Sequence, residues 1–167
     1  MKKIISFTVL FALASFLLQG QDLTTYTKVG DKAPTFKCRT LDGKEIDISS
    51  LKGKVILINF FATWCGPCNK ELPVLQSEIW DKYKNNKRFE LIIIGREHNE
   101  TELSDWVKAK GFLMPFAADP KREIYSLFVK ESIPRNYIID KNGFIAFQNI
   151  GYEEKEFEAL RNKLAVS

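Results

Sequence analysis

Two cysteines, Cys65 and Cys68, stand two residues apart in the run Val55-Ile-Leu-Ile-Asn-Phe-Phe-Ala-Thr-Trp-Cys-Gly-Pro-Cys-Asn-Lys-Glu71. Sulfur pairs at this spacing can close a disulfide with each other and open it again, so the chemistry they offer is thiol–disulfide redox chemistry. The preceding segment, Val55 to Phe61, is apolar at almost every position, as in a strand buried on both faces. The following segment carries Leu72, Leu75, Ile79 and Tyr83 on one helical stripe. The first sulfur therefore falls at a helix N-terminus, where unpaired backbone N–H groups and the helix dipole favour negative charge. Such sites lower a cysteine pKa from about 8.5 to between roughly 3.5 and 7.5 and so supply the nucleophilic thiolate.

Strands and helices on both sides must hold this junction. Residues 21–35 read as a polar lead-in, with Gly30-Asp-Lys-Ala-Pro34 as an extended entry. Thr35 to Thr40 and Glu45 to Ile48 read as two strands joined by an Asp42-Gly43 turn, followed by a short helical connection over Ser49 to Gly53. After the central strand comes a helix that Pro73 should kink. Glu90-Leu-Ile-Ile-Ile94 is a second apolar strand, and Thr101 caps a helix that Gly111 stops. Pro115 to Ala118 is a short strand, and Asp119-Pro120 opens a helix with Ile124, Leu127 and Phe128 inward. Asn136 to Asp140 is a third apolar strand, turned by Lys141-Asn-Gly143 into Phe144 to Ile150. A final helix over Glu153 to Leu164 faces Phe157, Leu160 and Leu164 inward. The order after the first hairpin is β-α-β-α-(β)-α-β-β-α, an α/β fold with a mixed sheet.

Length and composition suit one domain: 167 residues, 45% hydrophobic and 28% charged. Residues 1–20 are expected to stand apart from it as a secretory signal peptide, since Lys2-Lys3 precede an apolar run from Ile4 to Leu18 and a cut after Gly20. The apolar run is short of the roughly 20 residues a spanning helix needs. Losing Lys2 and Lys3 takes the formal charge from +4 to +2, with both signs mixed along residues 21–167. Nothing in that pattern is a nucleic-acid footprint.

The residues now carry a resemblance. Trp64-Cys-Gly-Pro-Cys68 after a buried strand, with Ile133-Pro134 leading a later one, resembles the thioredoxin fold, and the thioredoxin Cys-x-x-Cys is itself a standard instance of a lowered cysteine pKa. The longer run Gly53 to Pro73, the lead-in Val29-Gly-Asp-Lys-Ala-Pro-Thr-Phe36, the Leu41-Asp-Gly-Lys44 turn and Tyr137-Ile-Ile-Asp-Lys-Asn-Gly143 resemble the TlpA/ResA-like branch of exported thiol–disulfide oxidoreductases. The resemblance implies a thioredoxin-like three-layer sandwich: a mixed central sheet with an added N-terminal β-hairpin and a helix/strand insertion. It implies Cys65 as nucleophile, Cys68 as resolving cysteine and Pro134 as a cis proline beside them, with Trp64, Gly66 and Pro67 completing the motif. Ile133 and Arg135 become candidates for the partner groove, and the charge of Arg135 either favours acidic partners or points to solvent. Glu71, one helical turn after Cys68, matches the branch's proton-handling acid, and Asn59 takes the strand position where thioredoxin has a buried Asp. Implied too are disulfide-containing client proteins, a membrane thiol donor for re-reduction, a periplasmic or other extracytoplasmic location, and a link to cytochrome c maturation or general redox homeostasis. No cofactor is implied.

Other assignments fit the residues less well. A peroxiredoxin needs Pro and Thr seven and three residues before its cysteine, where Ile58 and Ala62 stand. Cys65, Cys68 and His98 would make a poor copper site of the Sco type, because the cysteine spacing differs and the sole histidine lies in the polar loop Glu97-His-Asn-Glu100; no stable metal is expected. Asn69 after Cys68 excludes the haem-attachment motif. Cys38 reads either as a small buried hydrophobe or as an exposed thiol free to pair.

Overall fold

The computed structural model describes residues 24–167; the expected signal peptide lies outside them. A five-stranded sheet in the order β5-β4-β3-β6-β7 is built from β3 (Val55–Phe61), β4 (Phe89–Arg96), β5 (Phe116–Asp119), β6 (Arg135–Ile139) and β7 (Ile145–Ile150). The β3–β4 and β4–β5 pairs are parallel, whereas β6 and β7 run antiparallel to β3 and to each other. A separate hairpin of β1 (Lys37–Arg39) and β2 (Glu45–Asp47) follows the lead-in. Its turn takes Gly43 at φ 89°, a left-handed conformation glycine adopts without a Cβ penalty. The hairpin then docks on the sheet edge, where Thr40 bridges Ala117 and the Leu41 N–H donates to the Phe116 carbonyl.

Strand periodicity divides the core in two. Ile56, Ile58 and Phe60 of β3 face the hairpin residues Phe36, Cys38 and Ile46 together with α4 (Tyr125–Phe128). Leu57 and Phe61 face the opposite way, with Leu72, Leu75 and Ile79 of the active-site helix, Leu103 of α3 (Glu100–Lys110) and Phe157, Leu160 and Leu164 of α5 (Glu154–Ala165). Asn59 sits between Leu57 and Phe61 on that second face and is fully buried. A polar side chain on the central strand thus lies directly under the helix that follows the cysteines.

That helix, α1 (Gly66–Val74), opens on Cys65 and runs through Pro73. Beyond the proline the backbone widens into a π-helical segment, Leu75–Trp80, before a last turn, α2 (Asp81–Tyr83). The missing proline N–H is thus accommodated by a change of helical pitch rather than by ending the helix. Two local expectations are corrected. Asn99, not Thr101, caps α3, in a capping box with Glu102 that satisfies two otherwise orphaned backbone donors. In the segment after β5, Tyr125 rather than Leu127 turns inward: the Asp119 carboxylate accepts the Tyr125 N–H and the helix shortens to one turn, leaving Leu127 exposed.

Replacing Asn99 by Ala should destabilise the fold by about 1 kcal/mol, and Thr101→Ala by less, measured by denaturant unfolding.

Candidate active site

Cys65 and Cys68 form a disulfide with an S–S distance of 2.07 Å. Cys65 is the N-cap of α1, its sulfur accepting the Cys68 N–H at 3.3 Å, with Gly66 and Pro67 in the first turn. Proline suits this place, where backbone N–H groups lack intrahelical partners in any case. Cys65 retains a sliver of exposure and Cys68 none, 5% against 0%, so an incoming group meets the first sulfur. Trp64 beside it is exposed, and the Arg96 guanidinium lies 5.4 Å from its ring centroid.

The junction between β3 and α1 is held at a single residue, Thr63. The Thr63 N–H donates to His98 Nε2 at 3.0 Å, and Asn69 Nδ2 donates to the Thr63 carbonyl at 2.9 Å. His98, read from the sequence as part of a polar loop, is instead buried against the active-site turn. Accepting at Nε2 requires the neutral ring with its proton on Nδ1. Burial pushes its pKa down, against the opposing pull of Glu102 and Glu97. The sequence offered no periodicity or motif to locate this residue, because its role depends on β4 ending beside β3.

Opposite the sulfurs, the Ile133–Pro134 peptide bond is cis and the Ile133 carbonyl lies 3.8 Å from Cys65 Sγ. Pro134 is buried and Ile133 half-buried. The approach to it is steadied by Tyr125, whose hydroxyl donates to the Ser132 carbonyl at 3.0 Å, Ser132 itself having φ 74°. The expectation that Arg135 points to solvent is corrected. Arg135 is buried, and its guanidinium donates to the Thr24 hydroxyl and to the Glu131 carbonyl at 3.1 Å.

Glu71 is 1% exposed on the face of α1 that meets the sheet. Its two carboxylate oxygens accept from Asn59 Nδ2 at 2.9 Å and Asn136 Nδ2 at 2.6 Å. Burial raises its pKa to about 7, partly offset by these two amides, which favour the charged form. A carboxyl with that pKa can both take and give a proton near neutrality. Cys38 is also buried, and burial, with the Glu45 and Glu90 carboxylates adding to it, pushes its pKa up to about 11.

Comparison with known proteins accords with this geometry. The sequence profile of the AhpC/TSA family matches residues 29–148. The thiol–disulfide oxidoreductase ResA of Bacillus thuringiensis (strain Al Hakam) is 35% identical over 129 residues, covering 77% of this chain and 73% of the relative. The chain belongs to the AhpC/TSA family and, within it, to the ResA-like thiol–disulfide oxidoreductases. A second ResA, from Bacillus thuringiensis subsp. konkukian (strain 97-27), is 31% identical over 156 residues, 92% of this chain and 89% of the relative. Among solved structures, a protein of Bacteroides thetaiotaomicron provisionally assigned as a protein disulfide isomerase superposes with a TM-score of 0.81 at 35% identity, covering 85% of this chain and 91% of that one. The thioredoxin-like architecture and the redox-active pair expected from the sequence are thus both present.

Two measurements follow from the buried titratable groups. A buried neutral histidine binds protons less readily folded than unfolded, so its contribution to stability is full above its ordinary pKa of 6.5 and is lost as pH falls below it. His98→Gln should flatten that acid limb of the stability profile and cost about 1–3 kcal/mol at neutral pH through the weakened Thr63 contact. Glu71 has the opposite sign: its folded pKa lies above the ordinary 4.5, so wild-type stability relative to Glu71→Gln should decline as pH rises from 4.5 to about 7 and level off above. Urea unfolding across that range checks both.

Proposed function

We propose that this chain is an exported reductase of protein disulfides. The observation that carries the reading is the placement of the pair: Cys65 caps α1 with a sliver of exposure, Cys68 is sealed behind it, and the Ile133 carbonyl lies 3.8 Å from the outer sulfur. In the reduced protein the Cys65 thiolate attacks one sulfur of a client disulfide; a Cys65–client disulfide forms and the other client sulfur leaves as thiolate. Cys68 then gives its proton to Glu71 and attacks Cys65, forming Cys65–Cys68 and releasing the second client thiolate. Two electrons pass from the dithiol to the client, and the two client thiolates take up protons from Glu71 and solvent.

Ile133 supplies backbone polar groups to a client strand beside Cys65, where the exposed Trp64 precedes the same sulfur in the chain. A membrane thiol donor re-reduces the pair. The leader at residues 1–20 sends the protein to the periplasm or an equivalent extracytoplasmic space, where the cysteines of maturing c-type cytochromes are among the disulfides open to it. The reducing direction is supported by Cys-Gly-Pro-Cys, the pairing of reducing thioredoxins.

The reduction potential of the Cys65–Cys68 pair tests the direction: about −270 mV is expected, whereas about −120 mV would make the protein an oxidant. Cys65→Ser should abolish insulin reduction, and Cys68→Ser should leave a covalent Cys65–client adduct that only added thiol releases. A Cys68→Ser protein that never accumulates adducts with a disulfide-bonded substrate rejects the assignment of Cys65 as nucleophile.

A further inference from the structure

Glu71 is one end of a longer polar array. Asn59, Asn136 and Asn149 are direct cross-strand partners on β3, β6 and β7, and all three are buried. Their amides run in one direction: Asn59 Nδ2 donates to Asn136 Oδ1 at 2.9 Å, and Asn136 Nδ2 donates to Asn149 Oδ1 at 3.1 Å. The same two nitrogens also serve the two oxygens of Glu71. All four amide hydrogens of Asn59 and Asn136 are therefore engaged, while Asn59 Oδ1 is buried with no partner. An amide oxygen left unpaired in the interior costs about 1–3 kcal/mol, so the row is short of one donor.

We infer that the Asn59–Asn136–Asn149 row is a positioning device that fixes the Glu71 carboxylate and ties Asn149 to its charge. When Glu71 is charged, the amides point their N–H groups from β3 toward β7, as observed, and each carboxylate oxygen receives a donor. When Glu71 takes a proton, the oxygen that carries it becomes a donor and no longer accepts from its amide, so the bonds along the row readjust as far as Asn149. The proton comes from the Cys68 thiol or from solvent, and no other covalent bond changes.

The surroundings suit this assignment. The carboxyl's pKa near 7 makes both states accessible around neutrality. Cys68 lies one turn before Glu71 on α1, and Tyr152, in the loop between β7 and α5, is the titratable group that senses Glu71 from that side, its own pKa raised mainly by burial and then by Glu154, Glu71 and Glu78. Hydrogen-bonded chains in low dielectric reinforce one another, so a change of charge at Glu71 is felt along the row. Asn149 ends the row on β7 at 8% exposure.

The inference rests on Glu71 as the proton-handling group, and its test needs no client. In the oxidised protein, the Glu71 carboxyl and the three side-chain amides can be followed by NMR from about pH 5 to about pH 9. All four signals should move with one midpoint, and Glu71→Gln should leave the three amides flat. Asn136→Leu should raise the Glu71 midpoint by about one unit or more and silence Asn149, which reaches the carboxyl only through Asn136. Should Asn136→Leu fail to fold, Asn59→Leu, which also deletes a donor to the carboxylate, should raise the midpoint likewise. An Asn149 amide that stays flat while Glu71 titrates, or a midpoint unmoved in the folded variant, overturns the inference. A row that titrates with Glu71 in a protein unable to reduce insulin upholds it and rejects the reductase reading instead.

Discussion

A carboxyl group with no access to water has to be supplied with hydrogen-bond donors by the protein, and much of the architecture around the disulfide can be traced to that need. Glu71 faces the sheet because the helix stripe that buries Leu72 and Leu75 also turns its third position inward. What it meets there is amide nitrogen from two strands. A leucine at Asn59 or Asn136 would pack well enough but would leave the charged form less favourable. The central strand therefore gives up part of its apolar face so that an ionisable group can sit one turn from Cys68.

The second constraint acts on the backbone. The turn from β3 into α1 must place Cys65 at the helix cap, and Thr63 is clasped from both sides by groups distant in sequence, His98 from the end of β4 and Asn69 from α1 itself. On the facing side, Tyr125 holds the loop that carries Ile133. The disulfide is thus framed by two segments held by three side-chain anchors, as precise thiol chemistry demands of its supports.

Much of this was legible in the amino-acid sequence, for identifiable reasons. The strands Val55–Phe61 and Phe89–Arg96 announce themselves as largely apolar runs, since parallel strands covered on both faces have little polar side to show. Cys65 and Cys68 are found by type and spacing, Pro134 through the family resemblance, and Glu71 through that resemblance together with helical periodicity. The parts that stayed hidden depend on contacts between remote segments. His98 and Arg135 look like surface residues because their partners, Thr63 for one and Thr24 and Glu131 for the other, come together only through the fold. The asparagine row is invisible for a related reason: its members are separated by 77 and 13 positions and align only through strand register. The misplaced cap at Thr101 has a local cause, since Asn99 and Thr101 are both good caps and only the reciprocal bond with Glu102 decides between them.

Cys38 adds one more consequence. A chain that trades disulfides for a living and carries an odd cysteine is exposed to scrambling, its own spare sulfur competing with every client. Here that sulfur is walled in between the hairpin and the sheet, and with a pKa of about 11 its thiolate fraction at neutral pH is on the order of one in ten thousand. The third cysteine is chemically mute as long as the fold is intact, so the molecule behaves toward its surroundings as a pure dithiol, and the hairpin that seemed a mere appendage to the sheet is what keeps it so.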